Sequence, residues 1–131
     1  MTNPKYPIYI VSKGRSTTGH TRKSLTRMGV PFHIVIEPQD YDDYVKVVPK
    51  EQLLTLPFSN HGDGPGRARN WCWEHSISIG SKKHWVMDDN ICDFYRLHNN
   101  KRYRVESGSL FKSCEDFVDR YENVPISGLN Y

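Results

Sequence analysis

Three oxygen-bearing side chains follow a short apolar run in His84-Trp85-Val86-Met87-Asp88-Asp89-Asn90-Ile91. Two carboxylates and an amide at one point suit a hard divalent cation. Such ions take oxygen ligands, usually one or two carboxylates completed by water and substrate phosphates. Trp85 to Met87 reads as a buried strand, and Asp and Asn, poor strand formers, end it. The three side chains then stand at the C-terminal edge of a strand, where open α/β sheets bind ligands. The same tripeptide also reads as a solvated turn.

Two further stretches offer anion chemistry. Ser12-Lys13-Gly14-Arg15-Ser16 lies just past an apolar run. Gly14 lets backbone approach a ligand, and Lys13 and Arg15 can meet phosphate. The alternative is an ordinary strand-to-helix loop with solvated cations. The Walker pattern is absent. The second stretch, Ser59 to Gly66, holds three glycines in five positions and opens a helix whose first turn carries Arg67, Arg69 and Asn70. Cations there oppose the helix dipole. An anion bound to the helix start and the arginines would relieve that conflict; the alternative is that the long side chains reach solvent.

The elements that must position these groups follow from pattern. Residues 7–11, 32–36 and 53–56 read as strands. A helix over 17–28 is expected, capped by Ser16 or Thr17, its cations His20, Arg22, Lys23 and Arg27 forming a solvated face. Asp40 is expected to cap a short helix through Val48. Residues 67–79 read as a helix burying Ala68, Trp71, Cys72, His75 and Ile79 on one face. Residues 94–98 and 101–105 read as a hairpin, with Asn99-Asn100 as a turn that tolerates positive φ. This ribbon is basic and aromatic, and reads either as a nucleic-acid surface or as a solvated hairpin. Residues 109–122 form an amphipathic helix with Leu110, Phe111, Cys114, Phe117, Val118 and Tyr121 on its buried face. Residues 124–131 read as a last strand entering a loop. Strands alternating with helices predict an α/β fold: an open, mostly parallel sheet flanked by helices, with a β-hairpin after the Asp-Asp-Asn strand.

Composition bounds the rest. A chain of 131 residues is about one domain, and 37% hydrophobic with 25% charged residues is an ordinary globular balance. The net charge of +3 is compatible with phosphate-bearing partners without establishing nucleic-acid binding. Three widely spaced cysteines with no C-x-x-C pair argue against a zinc knuckle or thioredoxin-like site, and predict reduced thiols. Six histidines in no ligand spacing read as scattered surface residues. No signal peptide and no stretch of membrane-spanning length are evident, so a cytoplasmic protein with no membrane partner is expected.

The order of these motifs resembles the GT-A fold nucleotide-sugar glycosyltransferases, in which a G-x-A-R-N helix start precedes a strand bearing a D-x-D metal motif. "YPIYIVSKGR", "GPGRARNW", "WVMDDNI" and "ISGLNY" are most similar to the phage TET-associated DNA glycosyltransferases, over most of the chain. The resemblance implies a GT-A-like single domain over 1–131. It implies a hexosyltransferase-like enzyme that uses Mn²⁺ or Mg²⁺ and a nucleotide-sugar donor, UDP-sugar foremost. Its implied acceptor is a hydroxymethylated pyrimidine in DNA, within the host cytoplasm. It implies donor contacts from Ser12, Lys13, Gly14, Arg15, Arg67, Asn70 and Asp89, and metal contacts from Asp88, Asp89 and Asn90. It places the acceptor near the tail, at Ser127, Gly128 and Asn130. Two departures stand out. The third D-x-D position is Asn90, which keeps an oxygen ligand but loses a charge. The chain also stops where family members continue on the acceptor side, as a fragment or a minimal version would. No catalytic base is assigned: Glu74, Asp93 and Glu106 have no positional argument. The alternative function is a non-catalytic DNA-binding or nucleotide-binding module.

Overall fold

The computed structural model describes residues 3–59, 62 and 64–130. Four short β-rich runs become parallel strands: β1 (Ile8–Val11), β2 (His33–Ile36), β3 (Leu53–Thr55) and β4 (Trp85–Asp88). Their order is β3-β2-β1-β4. The chain therefore steps outward from β1 through β2 and β3, then returns to the other side of β1. That reversal leaves a crevice beyond the carboxyl ends of β1 and β4. The register pairs Val11 with Asp88, so the loop after β1 and the Asp-Asp-Asn turn emerge side by side.

Among the described residues, four α-helices connect and cover the strands: α1 (His20–Arg27), the single-turn α2 (Tyr41–Tyr44), α3 (Gly66–Ser78) and α4 (Ser109–Val118). Strand period decides which face each residue takes. Ile8, Ile10, Ile34, Ile36 and Met87 point to one face, packed with Leu25 and Met28 of α1, Tyr44 of α2 and Phe111 of α4. Tyr9 and Val35 point to the other face, against Ala68 and Cys72 of α3. A hairpin of β5 (Tyr95–His98) and β6 (Lys101–Arg104) stands apart as its own two-stranded sheet. Its Asn99 and Asn100 take φ of 50° and 63°, as a tight hairpin turn requires. The mixed α/β architecture with a parallel sheet and a separate hairpin is the one expected.

Several local expectations are corrected. β4 is an edge strand among the described residues, with Trp85 and Val86 only half-buried. Helix α1 starts at His20, not 17, and has no side-chain cap. Instead Arg22 and Lys23 reach back to the carbonyls of Ser16 and Thr17 and hold them in a turn. Arg27 is exposed, as expected, yet engaged: it pairs with Asp93 and Glu106, each at 2.7 Å. Asp40 caps nothing, because its carboxylate accepts the Gly14 N–H at 3.1 Å. Ile79 lies 55% exposed, and Ser76 is buried on the face assigned to it.

Helix α4 ends at Val118, leaving Phe117 and Tyr121 exposed. Its second buried residue is Glu115, whose carboxylate accepts the Lys5 and Tyr6 amides and the Trp85 indole N–H at 2.8, 3.1 and 2.9 Å. Residues 124–130 form no strand. Pro125 lacks a donor, Gly128 has no side chain to pack, and Ile126, 88% exposed, finds no core. Of the histidines, His20 and His98 are exposed as expected, but three others cluster. His33, His75 and His84 surround buried Tyr9, whose hydroxyl lies 2.7 Å from His75 Nδ1. Burial pushes that phenol up to about 12.

Candidate active site

The crevice between β1 and β4 is a cleft of about 530 Å³. Its floor is the loop after β1, and its walls are the Asp-Asp-Asn turn and the start of α3. The floor is built by a relay of hydroxyls. The Arg15 amide donates to the Tyr44 hydroxyl at 3.1 Å. Tyr44 in turn bonds Ser12 Oγ, which donates to Asp89 Oδ2 at 2.7 Å. Asp89 Oδ1 then accepts the Arg15 guanidinium at 3.1 Å. Arg15 thus opens the relay with its backbone and closes it with its side chain. Burial foremost raises the Tyr44 pKa, which keeps the phenol protonated as a donor.

Gly14 takes φ of 63°, a left-handed conformation that glycine adopts without strain. Lys13 pairs with Glu37, a carboxylate buried at the end of β2, at 3.1 Å. Opposite them Arg69 pairs with Asp88 at 2.7 Å. The turn itself is held from α1. Buried Thr21 donates its hydroxyl to the Asp88 carbonyl at 2.5 Å and accepts the Ile91 amide at 2.9 Å, while its own amide reaches the Asp89 carbonyl at 3.4 Å.

The two aspartates therefore differ. Asp89 has both oxygens engaged, and its side chain is only 11% exposed. The Asp88 side chain is 58% exposed, and only Oδ1 meets a protein partner among the described residues. Asn90 is exposed beside it. No three His, Cys, Asp or Glu side chains cluster for a metal among the described residues. An ion shared with a diphosphate needs only one or two carboxylates. Asp88 with the Asn90 amide fits that role, and Asp89 suits positioning.

The sequence-based candidates separate accordingly. Ser12, Lys13, Arg15, Asp88, Asp89 and Asn90 come together around the cleft. Arg67 and Asn70 do not join its lining: Arg67 lies over the Phe58 ring at 3.9 Å and Asn70 bonds Glu74. The cationic start of α3 is thus eased within the protein, by Asp88 and by an aromatic face. Ser127 lines a second hollow of about 770 Å³ along the outer side of β4, with Arg69, Asn70 and Trp73. Gly128 and Asn130 are exposed coil, and Tyr131, Asn60, His61 and Asp63 lie outside the described residues. Sequence reasoning missed Thr21, Tyr44 and Glu37, which build the floor and the turn. Only Thr21 left a trace, as a small polar residue amid the cations of α1.

A parallel sheet with an acidic turn at its switch point, beside Lys13 and Arg15, each paired to a carboxylate, defines an α/β protein with a charge-balanced cleft. Residues 6–131 match the family described as TET-Associated Glycosyltransferase, and the chain belongs to that family. It is thus a glycosyltransferase by family, with a sugar donor and an acceptor. Neither the curated proteins nor the solved structures give a match. No helix among the described residues is long and apolar enough to cross a membrane.

Proposed function

We propose that this chain is a metal-dependent glycosyltransferase of GT-A type. It takes a sugar from a nucleotide-sugar donor, a UDP-sugar, and transfers it to a hydroxyl of a hydroxymethylated pyrimidine in DNA. The observation that carries this reading is the balanced charge of the cleft. Lys13 and Arg15 line it, Arg69 reaches it through Asp88, and each is paired with a carboxylate of the protein. Asp88, with the Asn90 side-chain oxygen, would hold a divalent cation, and Arg15 and Arg69 would meet the phosphate oxygens of a diphosphate.

A bound Mn²⁺ or Mg²⁺ supplies Lewis-acid stabilisation of the leaving nucleoside diphosphate. The chain's own part is positioning. Thr21 fixes the turn, Asp89 fixes the floor through Ser12 and Tyr44, and the Gly14 backbone leaves room for the donor. An acceptor base in duplex DNA must leave the stack to reach such a cleft.

Calorimetric titration with UDP, with and without Mn²⁺, tests the reading. Metal-dependent binding that disappears in Asp88→Ala is the expected result. Equal binding by wild type and Asp88→Ala overturns the assignment.

A further inference from the structure

The β5–β6 ribbon concentrates the chain's positive charge. Residues 95–104 hold four Lys and Arg and no Asp or Glu, out of 18 basic and 15 acidic residues in all. The remainder of the chain therefore carries one more acid than base. Every residue of both strands is exposed. Tyr95, Leu97 and Tyr103 stand 51%, 71% and 49% exposed, an apolar surface the protein itself leaves uncovered.

The register places these groups on two faces. Tyr95 pairs with Arg104 and Leu97 with Arg102, whereas Arg96 pairs with Tyr103 and His98 with Lys101. Directly paired residues share a face. Each face thus carries two cations and at least one aromatic ring. A membrane surface selects the opposite arrangement, one apolar face and one charged face. A ribbon cationic on both sides suits a groove with phosphates on both walls. The major groove of B-DNA, about 12 Å wide, admits a two-stranded ribbon.

A free two-stranded ribbon is marginal, yet this one is anchored. Phe94 and Val105 at its base are buried, and the Val105 amide donates to the Phe94 carbonyl at 2.9 Å. Arg27 clamps Asp93, Glu106 and the Val105 carbonyl from α1. The base follows the Asp-Asp-Asn turn in sequence, and α1 holds both, the turn through Thr21 and the base through Arg27.

We propose that the β5–β6 ribbon is a duplex-DNA docking element that enters the major groove and presents the acceptor strand to the adjacent cleft. This deepens the acceptor half of the function proposed above and rests on it for the word acceptor. Arg96, Lys101 and Arg102 meet the phosphates; Arg104 is partly engaged with Glu106, at 3.3 Å.

Anisotropy titration of a duplex oligonucleotide across a salt series tests it, using wild type and Arg96→Gln/Lys101→Gln/Arg102→Gln. The variant should bind more weakly, and its plot of log affinity against log salt should flatten by about 0.9 for each phosphate left unneutralised. Its Mn²⁺-dependent UDP titration should match wild type, which also reports folding. Should the triple variant not fold, the slope for Arg102→Gln decides. Unchanged duplex affinity and slope overturn the proposal. So does a variant that no longer binds anionic lipid vesicles or heparin while keeping the duplex. If wild type binds duplex through the ribbon charges but does not bind UDP, the docking element stands and the enzymatic reading falls. UDP binding without duplex binding would do the reverse.

Discussion

The guanidinium of Arg69 sits 2.7 Å from the carboxylate of Asp88 and ties the start of α3 to the end of β4 across the mouth of the cleft. Both side chains are about half exposed, so the pair is worth at most about 1 kcal/mol. Its interest is competitive: a cation that Asp88 accepts competes with Arg69 for the charge of one carboxylate. Arg69→Gln should therefore bind Mn²⁺ alone more tightly, by up to about fivefold. It should bind Mn²⁺ with UDP less tightly, because a phosphate partner is gone. Calorimetry on both titrations reads the two signs, and a drop in affinity in each would contradict the competition.

The neighbouring aspartates should respond differently to truncation. Asp88→Ala removes an open carboxylate, so its unfolding free energy should stay within about 0.5 kcal/mol of wild type. Asp89→Ala strands the buried Ser12 hydroxyl and releases the exposed Arg15 guanidinium to water, and should cost about 1–3 kcal/mol. Urea unfolding separates them. Equal effects would erase the distinction between a ligand-facing and a positioning carboxylate.

Thr21→Val keeps the shape of a buried side chain and removes its oxygen. The Asp88 carbonyl and Ile91 amide are then deprived of a partner, at a cost of about 1–3 kcal/mol. The turn is also freed from its tether to α1, so UDP affinity in Mn²⁺ should fall with stability. A destabilised variant that binds UDP as well as wild type would show that the turn does not depend on α1.

Stability should fall in two steps as pH is lowered. Burial holds His33 and His84 below the ordinary value of 6.5, so below that pH the unfolded chain takes up protons the folded chain resists. Hydrogen bonds from Lys5, Lys83 and Tyr6 hold the Asp119 carboxyl well below its ordinary 3.8. Its stabilisation is complete above that value and is lost as pH falls through the lowered one. The melting temperature should drop between about pH 7 and about pH 5, less so in His84→Gln, and drop again in stronger acid. A flat profile across the first interval would contradict the imidazole contribution.

What could be read in advance divides by the range of the interaction. Strands 8–11 and 33–36, the helix opening at Gly66, the Asn99-Asn100 turn and the acidic end of β4 follow from local period and turn chemistry, and all appear near their expected places. Glu115 was invisible for the opposite reason. Its partners Lys5, Tyr6 and Trp85 are remote in sequence, and helical period alone offered Cys114 and Phe117 for that face. The Tyr44–Ser12–Asp89 relay likewise joins three segments. Arg69 was legible as a cation in a difficult position, but its partner lay beyond α3. The tail reads as a strand from its apolar residues, which never find a neighbouring edge.

The pairing of Val11 with Asp88 sets a parity. Successive residues of a strand alternate sides, so a slip of β4 by one residue would exchange the open aspartate for the committed one. Trp85 guards against that slip: its amide donates to the Pro7 carbonyl at 2.8 Å, and its indole is pinned by Glu115. A carboxylate on the buried face of α4, at the opposite end of β4 from the cleft, thereby decides which of two adjacent acids stands open in the cleft. Freeing Trp85 from Glu115 would loosen that guard and let a slip alter the cleft while leaving every residue that lines it unchanged in type.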